Sequence, residues 1–382
     1  MTDQKNTVNT LKAKNERNLG IDILRIISMF MVTVLHLAGQ GGYKGTPDSG
    51  AVYYIMTFLV VVCYGAVNIF ALISGYVMYG TSIKYKRIVG LWFQVAFYSV
   101  GLSIIDKVVF HSTDMFIKSF LPVLSAKYWY FSAYFFMFFF IPYFNSFIEK
   151  LSGKTALKFI VTGSVILSVI SNIVEFTGYD IIGLLKGYSL MWLSFCYLIG
   201  ALIKKYRRYF ERLSSKTCIW IIFACTALTF IDSTWLVNMK LPANLEILPR
   251  GMLLRYTSPT VFVMSVCMLI IFSRIKISHG KKQIGILSAT SFGVYIVQTH
   301  SLIWNNYILK FSTFFNVSNA LSKTLLVLVG AVGLYILISI ADYLRIQLFR
   351  LLHIDSLSAW ICKLLERILK IVEKPFVKYT EP

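Results

Sequence analysis

Ten stretches of mostly apolar residues, each close to twenty long and separated by short polar segments, leave this chain of 382 residues little choice of medium. They run 19–38, 52–78, 88–105, 128–147, 159–175, 187–203, 217–237, 252–272, 284–308 and 325–341. About 20 apolar residues in a helix cross the hydrocarbon layer of a bilayer. The reading is therefore an all-α, polytopic integral membrane protein of about ten transmembrane helices. Composition agrees, because hydrophobic residues make up 57% and charged ones only 14%, against roughly 25% charged in a soluble globular chain. Residues 1–18 are polar and lead into a span longer than a signal-peptide core, so the first helix is expected to stay.

Lysine and arginine orient the bundle. With the N-terminus inside, alternating segments place 27 of them on the inner side and 10 on the outer, Arg25 being the remaining one. The positive-inside rule then sets both termini in the cytoplasm. Three regions follow: a cytoplasmic N-terminal segment 1–18, the membrane domain 19–341 and a cytoplasmic tail 342–382. The tail interleaves Leu344, Leu348, Leu351, Leu352, Trp360, Leu364, Leu365 and Ile368 with arginine and lysine. That pattern fits an amphipathic helix on the inner leaflet or one packed beneath the bundle. The formal charge of +21 thus faces anionic lipid headgroups, not nucleic acid.

The loops are short, and no outer loop is large enough to fold as a domain, so binding or chemistry must happen among the helices. The six cysteines show no CxxC or metal-ligand spacing and read as packing residues; no metal is expected. A Gly-rich phosphate loop, an HExxH motif and a GxSxG motif are all missing, which argues against a nucleotide-driven pump or an ordinary hydrolase.

The first apolar run carries two expensive residues, Arg25 and His36. Eleven residues at about 100° each bring both to one face of a helix, roughly 16 Å apart along its axis. Asp22, three residues before Arg25, shares that face and can pair with it. One stripe of the first helix must then face protein or a water-filled cavity. A purely structural alternative pairs Asp22 with Arg25 at one membrane edge and lets His36 snorkel at the other.

Four separated segments resemble one family, the membrane-bound acyltransferase 3 proteins, which O-acylate cell-surface glycans and related extracytoplasmic acceptors. Arg25, ten residues and His36 look like the family's opening signature. Asn68-Ile-Phe-Ala-Leu-Ile-Ser74-Gly75-Tyr76 resembles a stretch ending the second helix. Lys84-Tyr-Lys-Arg87 is similar to a basic cytoplasmic element, with Lys84 in place of the first arginine. Ser291-Phe-Gly-Val-Tyr295-Ile-Val-Gln298-Thr-His300 looks like a segment near the C-terminus in which Gln298 stands at the usual histidine and His300 follows two residues later. Trp129 sits in a further aromatic element, which an interfacial aromatic belt would also explain.

The resemblance implies an acyltransferase for groups other than aminoacyl, an O-acetyltransferase of polysaccharides in the plasma membrane. It would use acetyl-CoA or another acyl-CoA as co-substrate and hold no bound cofactor. Acyl transfer to a hydroxyl needs a base and a positive group. His36 would be general base or transient acyl carrier, Arg25 would orient the donor or stabilise charge, and Lys84 and Arg87 would meet the donor's phosphates. Asp22, Ser74, Tyr76, Trp129, Tyr295, Gln298 and His300 would support the site, with Ser74, Gly75 and Tyr76 read as a turn or a close helix approach. The expected partners are a cell-surface or lipid-linked glycan and membrane lipids, and the chain would either act alone or hand its acyl group to a separate extracytoplasmic protein. The rival from another class is a polyprenyl-linked saccharide transporter, and a glycan polymerase would want a large outer loop. The single polar stripe, with no matched pair of interrupted helices, weighs against transport.

Overall fold

A computed structural model describes residues 17–111, 116–125, 127–239 and 251–380. Within them the chain is helical, and no strand occurs among the described residues. The helices are α1 (Leu19–Gln40), α2 (Ala51–Cys63), α3 (Ala66–Met78), α4 (Lys86–Val109), α5 (Trp129–Lys150) and α6 (Gly153–Glu175). They continue as α7 (Leu190–Lys205), α8 (Ser215–Thr234), α9 (Pro259–Arg274), α10 (Lys281–Gln298), α11 (Ser301–Ile308), α12 (Ala320–Leu351) and α13 (Ile354–Thr380).

Each apolar run becomes helix. Seven helices among the described residues are long and apolar enough to cross a membrane, with α2 and α3 counted as one broken span. The pair α10 and α11, bent by 68°, makes an eighth. The remaining two runs form α7 and α9, of 16 residues each. At 1.5 Å per residue they reach about 24 Å, short of the roughly 30 Å hydrocarbon layer. Most of the first part of the expected N-terminal segment, and the outer residues Lys240 and Arg250, lie outside the described residues.

Polar residues at the ends of the runs start the helices. Side-chain oxygens of Asn18, Ser152, Ser189, Ser214, Ser258 and Asn319 each accept from a backbone N–H of the following first turn. Pro259, directly after Ser258, supplies a preset φ at the first helical position.

The helix α1 runs through the middle, packed on α3, α9, α10 and α12. Against α3 lies α7, largely buried through Trp192, Leu193, Cys196, Tyr197 and Leu202. Their crossing is close because a glycine stands on each side. A Cβ at Gly75 would sit 1.8 Å from the Tyr197 carbonyl oxygen, and one at Gly200 would sit 2.0 Å from that of Leu72. Small residues permit this approach where packing, not a hydrophobic difference, drives helix association.

Contacts sort the helix ends into two groups. At one end Tyr79 Oη donates to Glu149, Lys205 Nζ donates to the carbonyls of Ile148, Glu149 and Leu151, and Arg274 donates to those of Phe210 and Leu213. Burial, then the Glu149 carboxylate, push the Tyr79 phenol up to about 12. Asn18 bonds the Ser273 carbonyl there, so the start of α1 belongs to this basic end. At the opposite end Ser312 N donates to Gly41 O, Tyr43 Oη donates to Phe315 O and Asn68 Nδ2 donates to Tyr256 O.

A second buried acid ties the periphery together. Asp342 on α12 is fully buried and accepts from Arg345 at 2.9 Å to each oxygen, Gln94 at 3.1 Å and Tyr98 at 2.9 Å. The helix continues to Leu351, so the first leucines of the tail prolong α12 and the later ones belong to α13, which packs on α4.

Gly75→Val should lower the stability of detergent-solubilised protein by about 2 kcal/mol or more, since overpacking here meets backbone. Gly101→Ala, where a Cβ meets nothing within 4 Å, should shift it by no more than about 1 kcal/mol in either direction. Thermal melts of the two variants compare them directly.

Candidate active site

Between α1, α2, α3, α5, α10 and α11, away from the basic end, lies a cavity of about 620 Å³. One wall is the face of α1 that carries His36. Met29, Val32, Leu35 and His36 line it at helical spacing, and the helix ends in a π turn over His36–Gln40. A π turn adds a residue to the turn and re-aims the side chains on it. The facing wall is α10, which contributes Phe292, Tyr295 and Thr299 before the chain breaks by 68° into α11. That break turns Ser301, Trp304 and Asn305 into the cavity.

His36 sits edge-on to Trp304, ring centroids 4.9 Å apart. Its Nδ1 is buried and makes no hydrogen bond among the described residues, and Gln298 is the side chain set against the ring. His36 thus lines the cavity with one ring nitrogen enclosed.

Arg25 stands three turns away toward the basic end. Its Nη1 donates to Asp22 Oδ1 at 3.2 Å and to Ser288 Oγ on α10 at 3.0 Å, while its side chain stays 30% exposed. Asp22 is buried and also accepts from Arg17 and, at 2.8 Å, from Ser288. Its carboxylate thus holds Arg25 without exhausting the guanidinium's five donors. Tyr130 and Tyr134 of α5 lie close to Arg25, and Tyr134 is also near Arg87 and Ser74. Lys84 and Arg87 are exposed just before and within the first turn of α4.

The other sequence-selected residues divide clearly by surroundings. Ser74 Oγ donates back to Phe70 O at 3.0 Å. Tyr76 is buried at the basic end beneath Lys204, whose Nζ lies 4.9 Å from its ring centre. Trp129 and Tyr295 line the cavity. His300 is fully buried, and its Nδ1 accepts from Leu302 N at 3.1 Å, capping α11. Its Nε2 lies 3.1 Å from Ser103 Oγ and 3.1 Å from Lys127 Nζ. Of the two candidates in the fourth motif, Gln298 is the one set against His36.

Three aromatic residues that the sequence did not single out complete the lining. Tyr64 projects from the break between α2 and α3, Tyr188 follows a turn at Leu185–Gly187, and Tyr256 comes from the irregular segment 251–258. Trp129 and Tyr256 stack with centroids 6.2 Å apart at 20°, and Tyr188 lies 4.6 Å from Trp129 and 5.0 Å from Tyr256. Gly187 has φ +98, and a Cβ there would meet the Tyr256 Cβ at 2.5 Å.

The segment 251–258 is irregular yet tightly bonded. Asp232 accepts from Gly251 N at 2.9 Å and Leu253 N at 2.8 Å, Arg255 pairs with Glu175 at 3.0 Å, and Asn172 Nδ2 donates to Thr257 Oγ1 at 3.2 Å. Asn68, fully buried, bonds Tyr256 O at 2.8 Å and accepts from Trp192 Nε1 at 2.8 Å. The cavity is a mostly aromatic chamber with few polar groups, one imidazole among them, as small-molecule sites generally are.

A family model described as an acyltransferase domain matches residues 18–341. No curated protein and no solved structure matches the chain.

Asn68→Ala should strand two buried partners, the Tyr256 carbonyl and the Trp192 indole N–H. At about 1–3 kcal/mol for each buried group left unpaired, the variant should lose roughly 2–6 kcal/mol in a thermal melt.

Proposed function

Since the match spans residues 18–341, the chain belongs to the acyltransferase 3 family of membrane acyltransferases, and we propose that it is an O-acetyltransferase of saccharides. It takes the acetyl group from cytoplasmic acetyl-CoA and gives it to a hydroxyl of an extracytoplasmic or lipid-linked saccharide at the plasma membrane. The observation that carries this reading is the cavity of about 620 Å³ with His36 on its wall and one of its ring nitrogens enclosed.

In this mechanism Nε2 of His36 takes the proton of the acceptor hydroxyl as its oxygen bonds to the thioester carbonyl carbon. The C–S bond then breaks, and the coenzyme leaves as the thiol after receiving that proton. The aromatic wall excludes water, which would otherwise compete as acceptor. Arg25 is roughly 16 Å from His36 along α1, too far to touch an oxyanion forming beside the imidazole. Its role here is to orient the donor. With the basic end facing the cytoplasm, Lys84 and Arg87 meet the donor's phosphates, and the pantetheine arm follows Tyr134, Arg25 and the α1 stripe outward. A separate extracytoplasmic protein is the partner that would carry the acetyl group further where the final acceptor lies beyond reach.

His36→Ala, at matched membrane levels, should lower the acetyl-ester content of surface glycans to that of cells lacking the protein, a loss of about 10²–10⁴ in rate. Replacing Lys84 and Arg87 together by glutamine should raise the KM for acetyl-CoA with kcat changed less than KM. Ester levels unaffected by His36→Ala would overturn the reading, and glycan export lost without any change in esters would point to transport.

A further inference from the structure

Two buried polar atoms on facing helices lack hydrogen bonds among the described residues, and they belong to adjacent side chains: Nδ1 of His36 and Oε1 of Gln298. Gln298 is the last residue of α10, fully buried where the chain turns by 68° into α11. Its Nε2 donates to Met29 Sδ on α1 at 3.6 Å. That contact turns the amide nitrogen toward Met29 and leaves the oxygen as an acceptor with nothing to accept. An imidazole nitrogen satisfies an amide oxygen only when it carries a proton.

We propose that Gln298 is a positioning residue that fixes the tautomer of His36, accepting a hydrogen bond from Nδ1–H so that the Nε2 lone pair points into the cavity. The partner of the second nitrogen sets which nitrogen of a histidine does chemistry. Trp304, edge-on to the ring, restricts its rotation. The proposal rests on the reading of His36 as the base and goes beyond it by assigning the atom that acts and the residue that selects it.

The other titratable groups on the cavity wall are Lys127 ahead of α5, Tyr130 on α5, Tyr64 between α2 and α3, Tyr188, Tyr256 and Tyr295 on α10. None is a carboxylate. Gln298→Glu therefore introduces an acid beside His36 where the lining has none.

The test uses full-length protein in native membrane vesicles, with acetyl-CoA and the lipid-linked saccharide fraction of the same membranes as probes, followed from pH 5 to 9. Gln298→Leu removes the acceptor and should lower kcat about 10- to 100-fold, the usual effect of losing a group that orients a histidine, with the KM for acetyl-CoA within about twofold. Gln298→Glu keeps an acceptor oxygen and should retain more activity than Gln298→Leu. Its charge favours the protonated ring, so the acid limb of its pH–rate profile should move up by about one unit. Should Gln298→Leu not fold, the limb in Gln298→Glu decides alone. An unmoved limb, or Gln298→Leu with unchanged kcat, overturns the positioning role. If His36→Ala is inactive in the same assay while the Gln298 variants behave as wild type, only the positioning fails. Activity surviving in His36→Ala would sink both.

Discussion

Hydrocarbon offers no hydrogen bonds, so every polar group carried into the bundle must find its partner in protein. The Asp22 carboxylate is where this requirement shapes the fold most. It gathers Arg17, Arg25 and Ser288, and so fastens the start of α1 to α10 through side chains 266 residues apart in sequence. At the far end the same two helices meet again through Met29 and Gln298. Side-chain hydrogen bonds thus tie α1 to α10 at two depths, and α3, α9 and α12 close around α1. Asp342 meets the same demand on the outer helices, with four donor bonds to a fully buried carboxylate.

Where the helices are interrupted, the cavity forms. The π turn of α1, the break between α2 and α3, the bend between α10 and α11 and the segment 251–258 all converge on it. Irregular backbone at this depth is tolerated because it is packed in protein, with Asp232, Asn172 and Asn68 supplying its bonds. The rings that these interruptions expose toward the interior give a site lined by flat, stiff surfaces. Few of its side chains need ordering when a ligand arrives.

The apolar runs made the helical class legible before any coordinates, because helix-length hydrophobic runs have few other ways to satisfy their backbone, but the breaks inside 52–78 and 284–308 and the irregular start of 252–272 left no mark in them. The spacing of Arg25 and His36 likewise showed that one face of α1 was polar. What it could not show was that the two residues serve different surroundings, one beside Asp22 and Ser288 and the other in an aromatic chamber. Tyr64, Tyr188 and Tyr256 gave no periodic signal, since each sits at an interruption whose direction only tertiary packing decides. The choice between Gln298 and His300 was equally closed to sequence. The residues are two apart, and a change of chain direction between them sends one ring into a helix cap and the other side chain against His36. Asn68 illustrates the reverse case: it lay inside a motif, and its bonds to Trp192 and Tyr256 make it a strut of the wall.

The buried ion pair at the base of α1 also bears on how the chain enters the membrane. Charged residues make a helix harder to insert, and α1, which holds Asp22 and Arg25, emerges from the ribosome before the helix that partners them. Ser288, which bonds both charged groups, is synthesised more than 260 residues later. Until then only local pairings, of Asp22 with Arg25 three residues on and with Arg17 five residues back, can mask the charges. α1 therefore meets lipid before its partner is made, and its final lodging depends on the ninth apolar run of the chain. Assembly order, and not only the finished architecture, is written into where those two charges lie.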